Sequence, residues 1–163
     1  MGKGYIVYSP FYVARHMRKW FIEPFLSILI LFEKMELDMT DLELMRIAKQ
    51  AYQYSYAPYS NFNVGAALLT REGKVYTGCN IENASYGAAN CAERTAIFKA
   101  VSEGERNFVK IAVAAKNGST AYPCGICLQV MQEFMPEVEI LLEQEDKLVS
   151  FTLKELLPFG FVL

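Results

Sequence analysis

Three cysteines and one glutamate, arranged in two short motifs, constrain this chain more than any other feature of its sequence. A Cys-x-Glu motif occupies residues 91–93, and a Pro-Cys-x-x-Cys motif occupies residues 123–127. Three thiolates can hold a zinc ion and leave one coordination position open, and a carboxylate that is not a ligand can move protons beside it. The paired motifs therefore predict a zinc site with Glu93 as its acid–base group. The expected ligands are Cys91, Cys124 and Cys127.

Two disulfide bonds are the alternative explanation for an even number of cysteines. The chain has four cysteines, at positions 79, 91, 124 and 127. Against disulfides, the chain is not small, lacks a clear secretory signal and places one thiol two residues before a glutamate. We therefore favour the metal site, with Cys79 as a small buried apolar residue and the reducing cytoplasm as the compartment.

The two motifs resemble those of the cytidine deaminase family in its small homotetrameric form, with cysteine replacing the commoner histidine as first zinc ligand. The resemblance extends from about Leu42 to Phe161. It implies an α/β fold, a three-layer α-β-α sandwich with a central mixed sheet, and one zinc ion per chain. It also implies hydrolytic deamination of cytidine and deoxycytidine to uridine and deoxyuridine, a reaction of pyrimidine salvage, by a homotetramer.

Substrate contacts are expected from residues outside the zinc ligands. Asn80 and Glu82 lie two residues apart at a strand end, so their side chains point the same way and could grip a diol. A solvated turn is the other interpretation of this Asn-rich segment. The resemblance favours the first, because both residues match the family's ribose clamp. It also implies that Phe62 lines the pyrimidine pocket and that Ala92 contacts the substrate.

Three further residues carry expectations about subunit contacts and the surroundings of the metal. Phe161 lies three residues after Pro158, where related enzymes have a Phe that stacks on a base bound to another subunit. The alternative is a tail packed on its own core. Arg94 is expected to donate to the ligand sulfurs, as in the family, or else to be a surface cation. Leu128 stands where the family usually has Arg, which places a local ion pair or subunit contact in doubt.

Charge argues against a nucleic-acid partner. Residues 1–34 carry five basic and two acidic residues, whereas the remainder carries 11 basic and 16 acidic residues. Phosphate binding needs a basic surface, so the acidic remainder favours a small nucleoside substrate. The lone histidine, His16, lies in the leader and is not expected to be catalytic.

Residues 1–38 form an atypical N-terminal extension ahead of a deaminase domain at residues 39–163. Their apolar run, residues 25–32, is shorter than the roughly 20 residues of a membrane span, and no signal-peptide cleavage site follows it. An amphipathic surface anchor is one alternative. We favour the other, a start assigned too far upstream, with Met35 or Met39 as the true beginning.

Local patterns predict helices alternating with strands, which indicates a sheet covered on both faces. Thr40 and Glu43 form a capping-box pattern, so the first helix should begin there and end before Pro58. Further helices are expected at residues 91–103, 124–135 and 152–157. Strands are expected at residues 64–69, 75–80, 110–115, 138–142 and 148–151.

Two other functions compete with cytidine deamination. Blasticidin deaminases share the metal motif and the Glu-Leu-Leu-Pro tail, but they lack the Asn-Ile-Glu-Asn stretch found here at residues 80–83. A zinc-stabilised binding protein without turnover is the second alternative. Glu93 argues against it, because a structural zinc site normally closes with a fourth ligand.

Overall fold

A five-stranded mixed sheet carries the fold of residues 39–163, the part of the chain that the computed structural model describes. The strands follow the order β2-β1-β3-β4-β5, and the β3–β4 pair is parallel while the other neighbours are antiparallel. The expectations for residues 1–38 lie outside this part. The strands are β1 (Val64–Thr70), β2 (Val75–Cys79), β3 (Phe108–Ala115), β4 (Glu139–Gln144) and β5 (Lys147–Thr152).

Helices cover both faces of this sheet. One face packs against α1, while the opposite face packs against α2 and α3, as the two separate hydrophobic clusters show. The predicted three-layer α-β-α sandwich is therefore confirmed. Two short 3-10 helices, Tyr52–Tyr54 and Tyr86–Ala88, complete the elements of this part of the chain. The α-helices are α1 (Asp41–Ala51), α2 (Ala92–Ser102), α3 (Gly125–Phe134) and α4 (Leu153–Leu156).

Strand β1 is buried along its whole length because both of its faces are covered. Ala66 and Leu68 point toward the cluster that contains α2 and α3, and Ala67 and Leu69 point toward α1. Successive side chains of a strand face opposite sides of the sheet, so an uninterrupted apolar run suits a central strand. The run of small residues in β1 lets both helical layers approach closely.

Two glycines permit these close approaches. A Cβ atom on Gly65 would lie 2.1 Å from the Ala48 carbonyl oxygen of α1. A Cβ atom on Gly78 would lie 2.3 Å from the Ala92 carbonyl oxygen, at the first turn of α2. Because both obstacles are backbone atoms, any larger residue would displace a helix. Gly78 thus sets the distance between β2 and the start of α2.

The four α-helices differ in how they begin. Thr40 caps α1 by accepting a hydrogen bond from the Glu43 amide at 3.2 Å, and Thr152 forms a complete capping box with Glu155 at α4. Cys91 and Cys124 occupy the same position at α2 and α3, but neither side chain makes a capping hydrogen bond. The two cysteine side chains therefore leave the amides of the first turn without a side-chain cap.

The predicted elements occur with ends shifted by up to two residues, apart from the first helix. That helix passes at Ala51 into a 3-10 turn, well before Pro58, and only the Thr40 half of its capping box is present. Within residues 39–163, no helix is long and apolar enough to cross a membrane.

Candidate metal centre and active-site pocket

Three cysteine sulfurs converge where α2 and α3 begin. Cys91 and Cys124 are the N-cap residues of these helices, and Cys127 follows one turn into α3. The Cys91 and Cys124 sulfurs are 3.8 Å apart, those of Cys124 and Cys127 are 3.6 Å apart, and all three lie within 4.8 Å of one another. Tetrahedral zinc with bonds of about 2.3 Å separates its sulfur ligands by about 3.8 Å. The donor set therefore fits zinc, with a fourth position left for another ligand.

The thiols interact strongly with one another. Hydrogen bonding from Cys127 and, less strongly, from Arg94 lowers the pKa of Cys91 to about 5 against the opposing effect of burial. The same hydrogen bond, together with burial, raises the pKa of Cys127. All four cysteines of the chain are free thiols, so the disulfide alternative finds no support. Metal binding removes the remaining protons, because thiolates are the ligands.

Arg94 lies behind the sulfur cluster. Its Nη2 is 3.4 Å from the Cys91 sulfur and 3.5 Å from the Ala89 carbonyl oxygen. Its Nε is buried and has no hydrogen-bond partner within residues 39–163. One zinc ion bound by three thiolates leaves a net charge of −1. A guanidinium in this position offsets part of that negative charge. The guanidinium thus lies within hydrogen-bonding distance of one predicted ligand sulfur, and its role toward a bound metal stays a prediction.

Glu93 is the charged side chain that the fold buries most completely among residues 39–163, with 4 % exposure. It lies on the first turn of α2, one residue inside the helix from Ala92. Burial raises the pKa of Glu93 to about 7. A carboxyl group that exchanges its proton near neutral pH, held beside an open metal position, is suited to acid–base work.

A cavity of about 190 Å³ opens directly in front of the sulfur cluster. Its lining brings together most of the residues singled out in the sequence, although they come from four separate segments. Four lining residues were missed by sequence reasoning. The predicted lining residues are Phe62, Asn80, Cys91, Ala92, Glu93 and Cys124, and the missed ones are Val64, Val113, Ala121 and Tyr122.

Tyr122 is the missed residue with the most distinctive side chain. Its ring packs edge-on against Phe151 of β5, with the ring centroids 5.9 Å apart. The sequence carried a signal for it, because Tyr122 immediately precedes the Pro-Cys-x-x-Cys motif at residues 123–127. Val64, Val113 and Ala121 had no such signal, since buried apolar residues of strands and loops resemble ordinary core.

Asn80 reaches the cavity from the end of β2, and its side-chain amide is held by three hydrogen bonds. Its Oδ1 accepts from the Ser55 hydroxyl at 2.5 Å and from the Val64 amide at 2.9 Å. Its Nδ2 donates to the Phe62 carbonyl oxygen at 2.7 Å. The amide is thus a fixed part of the cavity wall.

Glu82 lines a neighbouring cavity of about 350 Å³ together with Tyr59 and Tyr86. Its carboxylate accepts hydrogen bonds from the Ser60 hydroxyl, from the Tyr59 amide at 2.9 Å and from the Ser60 amide at 3.3 Å. These bonds, that from the Ser60 hydroxyl foremost, lower the pKa of Glu82. The carboxylate therefore stays ionised near neutral pH, in a cavity adjacent to that of Asn80.

Phe161 and Leu128 lie outside the 190 Å³ cavity. Phe161 is 62 % exposed and does not line the 190 Å³ cavity of its own chain; its carbonyl oxygen accepts from Gln129 at 2.8 Å. Leu128 lies on α3, and its side chain is buried in the core. Leu128 therefore contributes to packing in a position where a charge would need a buried partner.

Comparison with known proteins agrees with this geometry. A family model described as the cytidine and deoxycytidylate deaminase zinc-binding region matches residues 38–142. The cytidine deaminase of Halalkalibacterium halodurans is 51 % identical over 120 residues, which span 72 % of this chain and 91 % of that protein. The blasticidin-S deaminase of Bacillus cereus is 31 % identical over 129 residues, spanning 74 % and 91 % of the two chains.

The fold is also similar to that of solved structures. A crystal structure of the cytidine deaminase from Burkholderia pseudomallei superposes with a TM-score of 0.71 at 48 % sequence identity. The match covers 76 % of this chain and all of the other. Sequence and structure comparisons therefore agree over roughly the same three quarters of the chain.

Proposed function

Because the chain belongs to the cytidine deaminase family, we propose that it hydrolyses cytidine and deoxycytidine to uridine and deoxyuridine, with release of ammonia. The observation that carries this proposal is the burial of Glu93 in a small cavity beside three convergent thiols. A structural zinc site would instead close with a fourth protein ligand. An acid–base carboxyl beside an open position is the arrangement of a hydrolase.

Cys91, Cys124 and Cys127 would hold the zinc ion, which supplies a Lewis-acid position where water becomes nucleophilic at neutral pH. Glu93 would take a proton from the attacking water and deliver it to N3 of the cytosine ring. It would then move the second proton of that water from the new C4 hydroxyl to the departing amine. Burial of Glu93 keeps bulk water from competing for these protons. Overall, one water is consumed and one ammonia is released per nucleoside.

The remaining pocket residues hold and orient the nucleoside. Phe62 and Ala92 offer apolar contacts to the base within the 190 Å³ cavity. Asn80 and Glu82 present polar groups to the sugar, one in that cavity and one in its neighbour. Arg94 hydrogen-bonds to the Cys91 sulfur and so moderates the charge of the ligand set.

The direct test is turnover by purified, zinc-loaded protein. Incubation with cytidine or deoxycytidine should change the ultraviolet absorbance of the base and release ammonia in equal amounts. Free cytosine should react far more slowly, because the polar groups of Asn80 and Glu82 would lose their partner. Absence of ammonia from both nucleosides, in protein that contains zinc, would contradict the proposal.

Blasticidin S is the competing substrate, favoured by the 31 % identity to a blasticidin-S deaminase. Asn80 and Glu82 argue for the nucleoside, because their hydrogen-bonding groups suit sugar hydroxyls. Parallel assays with blasticidin S, deoxycytidylate and cytidine decide between these substrates by their kcat/KM values. We expect cytidine to have the highest value of the three.

We also propose that the active unit is a homotetramer in which Phe161 enters a neighbour's pocket. The C-terminal tail supports this, because Phe159, Phe161 and Val162 are between 62 % and 93 % exposed. Tyr86 is 85 % exposed beside the Glu82 cavity. Apolar surface of this extent is typical of interfaces. Light scattering measures the assembly, and a monomer would contradict it.

The thiol ligands also favour a reducing compartment, and we propose the cytoplasm. Cys91, Cys124 and Cys127 must remain reduced to bind zinc, and their sulfurs lie close enough for oxidation to join them after small movements. Localisation of the full chain by microscopy or cell fractionation tests this proposal.

A further inference from the structure

Two backbone groups fix the side-chain amide of Asn80 in one orientation. The Val64 amide donates to its Oδ1 at 2.9 Å, and its Nδ2 donates to the Phe62 carbonyl oxygen at 2.7 Å. Turning the amide by 180° would place two donors against each other at Val64 and two acceptors at Phe62. Since the amide nitrogen donates and its oxygen accepts, only the observed orientation satisfies both backbone groups.

Ser55 provides the second hydrogen bond to the amide oxygen, over 2.5 Å. A carboxamide oxygen has two lone pairs, so Ser55 and Val64 together use its whole acceptor capacity. The nitrogen carries two hydrogens, and within residues 39–163 the structure provides one of them with an acceptor, at Phe62. What Asn80 can offer a ligand is therefore an N–H donor.

The backbone holds Ser55 in position for this contact. Ser55 directly follows the 3-10 turn of Tyr52–Tyr54, and its amide donates to the Tyr52 carbonyl oxygen at 3.1 Å. The next residue, Tyr56, donates its amide to the carbonyl oxygen of Asn80 itself at 3.0 Å. The first bond ties Ser55 to the 3-10 turn, and the second ties the residue after it to the segment that carries Asn80. Together they hold the Ser55 hydroxyl near the Asn80 side chain.

Glu82 has the opposite hydrogen-bonding character. Its carboxylate accepts from Tyr59 and Ser60 and can only accept further bonds, since its pKa is lowered by those contacts. A ligand group that contacts Asn80 must accept a hydrogen bond, and one that contacts Glu82 must donate one. A sugar hydroxyl does both, whereas a phosphate dianion offers Glu82 no donor and adds like-charge repulsion.

We propose that Ser55 is a positioning residue for nucleoside binding. By saturating the amide oxygen of Asn80, Ser55 leaves that residue as a donor only, and the Asn80–Glu82 pair then selects a sugar hydroxyl. Ser55 acts through Asn80 and does not reach the reacting atoms. The nature of the ligand rests on the proposed cytidine deaminase function, while the hydrogen-bond arrangement does not.

Binding of the product nucleoside tests this without relying on turnover. Titration calorimetry compares uridine with 2′,3′-dideoxyuridine, which lacks the sugar hydroxyls in question. Ser55→Ala should weaken uridine binding by about 3- to 10-fold, the effect of one hydrogen bond. Ser55→Ala should change the weaker affinity for the dideoxy compound by no more than about twofold. Ser55→Thr should restore uridine binding, because the hydroxyl is retained.

Steady-state kinetics with cytidine provide the second measurement. Ser55→Ala should raise KM by a similar factor while kcat stays within about twofold, since the chemical step is untouched. Ser102→Ala is the matched control: the Ser102 hydroxyl donates to the Lys99 carbonyl oxygen at the exposed end of α2, and its loss should change neither constant.

Each contrary result has a distinct meaning. Equal weakening of uridine and dideoxyuridine by Ser55→Ala would show a packing role and overturn the inference, as would unchanged uridine affinity. If the unaltered protein bound uridine but released no ammonia from cytidine, the proposed function would fail, and the uridine comparison would still decide the role of Ser55. Failure to bind uridine at all would overturn the inference about Ser55, while ammonia release from cytidine would still decide the proposed function.

Discussion

The Glu93 side chain and the C-terminal tail lie at opposite extremes of burial. Glu93 beside the cluster is 4 % exposed, and every group proposed for proton transfer and metal binding comes from the N-caps and first turns of α2 and α3. Phe161 in the tail is 62 % exposed and contributes nothing to the pocket of its own chain.

This difference separates two requirements of catalysis. Groups that meet developing charge must be oriented and shielded from water before substrate arrives, so the fold of a single chain buries them. Groups that only hold the substrate can be supplied at the rim, including by a second copy of the chain. We therefore expect changes at Glu93 and in the sulfur cluster to abolish turnover and changes in the tail to alter affinity.

Cys124→Ser should have the largest effect, because a serine hydroxyl is a poor zinc ligand at neutral pH. Metal analysis should find about one zinc per wild-type chain and almost none in the variant, with turnover lost in parallel. Cys79→Ser is the matched control, since Cys79 ends β2 outside the cluster. Equal zinc loss from both variants would contradict the ligand assignment.

Glu93→Gln should come next, with zinc retained. Removal of a general acid–base group typically lowers the rate by about 10²–10⁴-fold, and several proton transfers place Glu93 at the upper end of that range. Uridine binding should persist. Zinc content and kcat measured on the same preparation test this, and kcat within about tenfold of wild type would exclude the role.

Phe161→Ala should have a smaller effect, confined to KM, which we expect to rise about tenfold or less through loss of stacking. Mixing Glu93→Gln chains with Phe161→Ala chains sharpens the comparison between the buried and exposed regions. If pockets are shared, reassembled mixtures regain wild-type KM in a fraction of sites. No recovery after demonstrated subunit exchange would rule out the shared pocket.

A protein that begins at Met35 should show the smallest change of all. Every residue placed in the site lies within residues 39–163, so zinc content, kcat and KM for cytidine should match those of the full chain. Melting temperature provides the structural comparison. Loss of activity or folding on removal of residues 1–34 would show that they belong to the domain, and liposome binding by the full chain alone would support an anchor.

The zinc ligands could be predicted from the sequence because their chemistry is local. Pro-Cys-x-x-Cys places two thiols within one helical turn, Cys-x-Glu places a thiol and a carboxyl there, and helix N-termini favour thiolates through their exposed amides. The layered fold followed from the alternation of predicted helices and strands and from the family resemblance. The uninterrupted apolar run of β1, Val64–Thr70, agrees with it, because a strand covered on both faces needs apolar residues on both.

Contacts between distant segments could not be predicted in the same way. Ser55 meets Asn80 across 25 positions of sequence, and nothing in the local pattern distinguishes this serine from an ordinary turn residue. Tyr122 lines the pocket, and its ring packs edge-on against Phe151 of β5, 29 positions later in the sequence. Such pairings depend on the register of the sheet and on loop paths, which periodicity does not encode.

The contrast among helix caps has a consequence for protein stability. A Ser, Thr or Asp at an N-cap typically stabilises a helix by about 1 kcal/mol relative to residues that cannot accept the amide hydrogen bonds. Thr40 and Thr152 provide this, whereas Cys91 and Cys124 do not. The two helices proposed to carry the chemistry thus forgo stabilisation that the other two retain. Serine at position 91 or 124 should therefore raise the melting temperature of the metal-free protein while it removes a proposed zinc ligand.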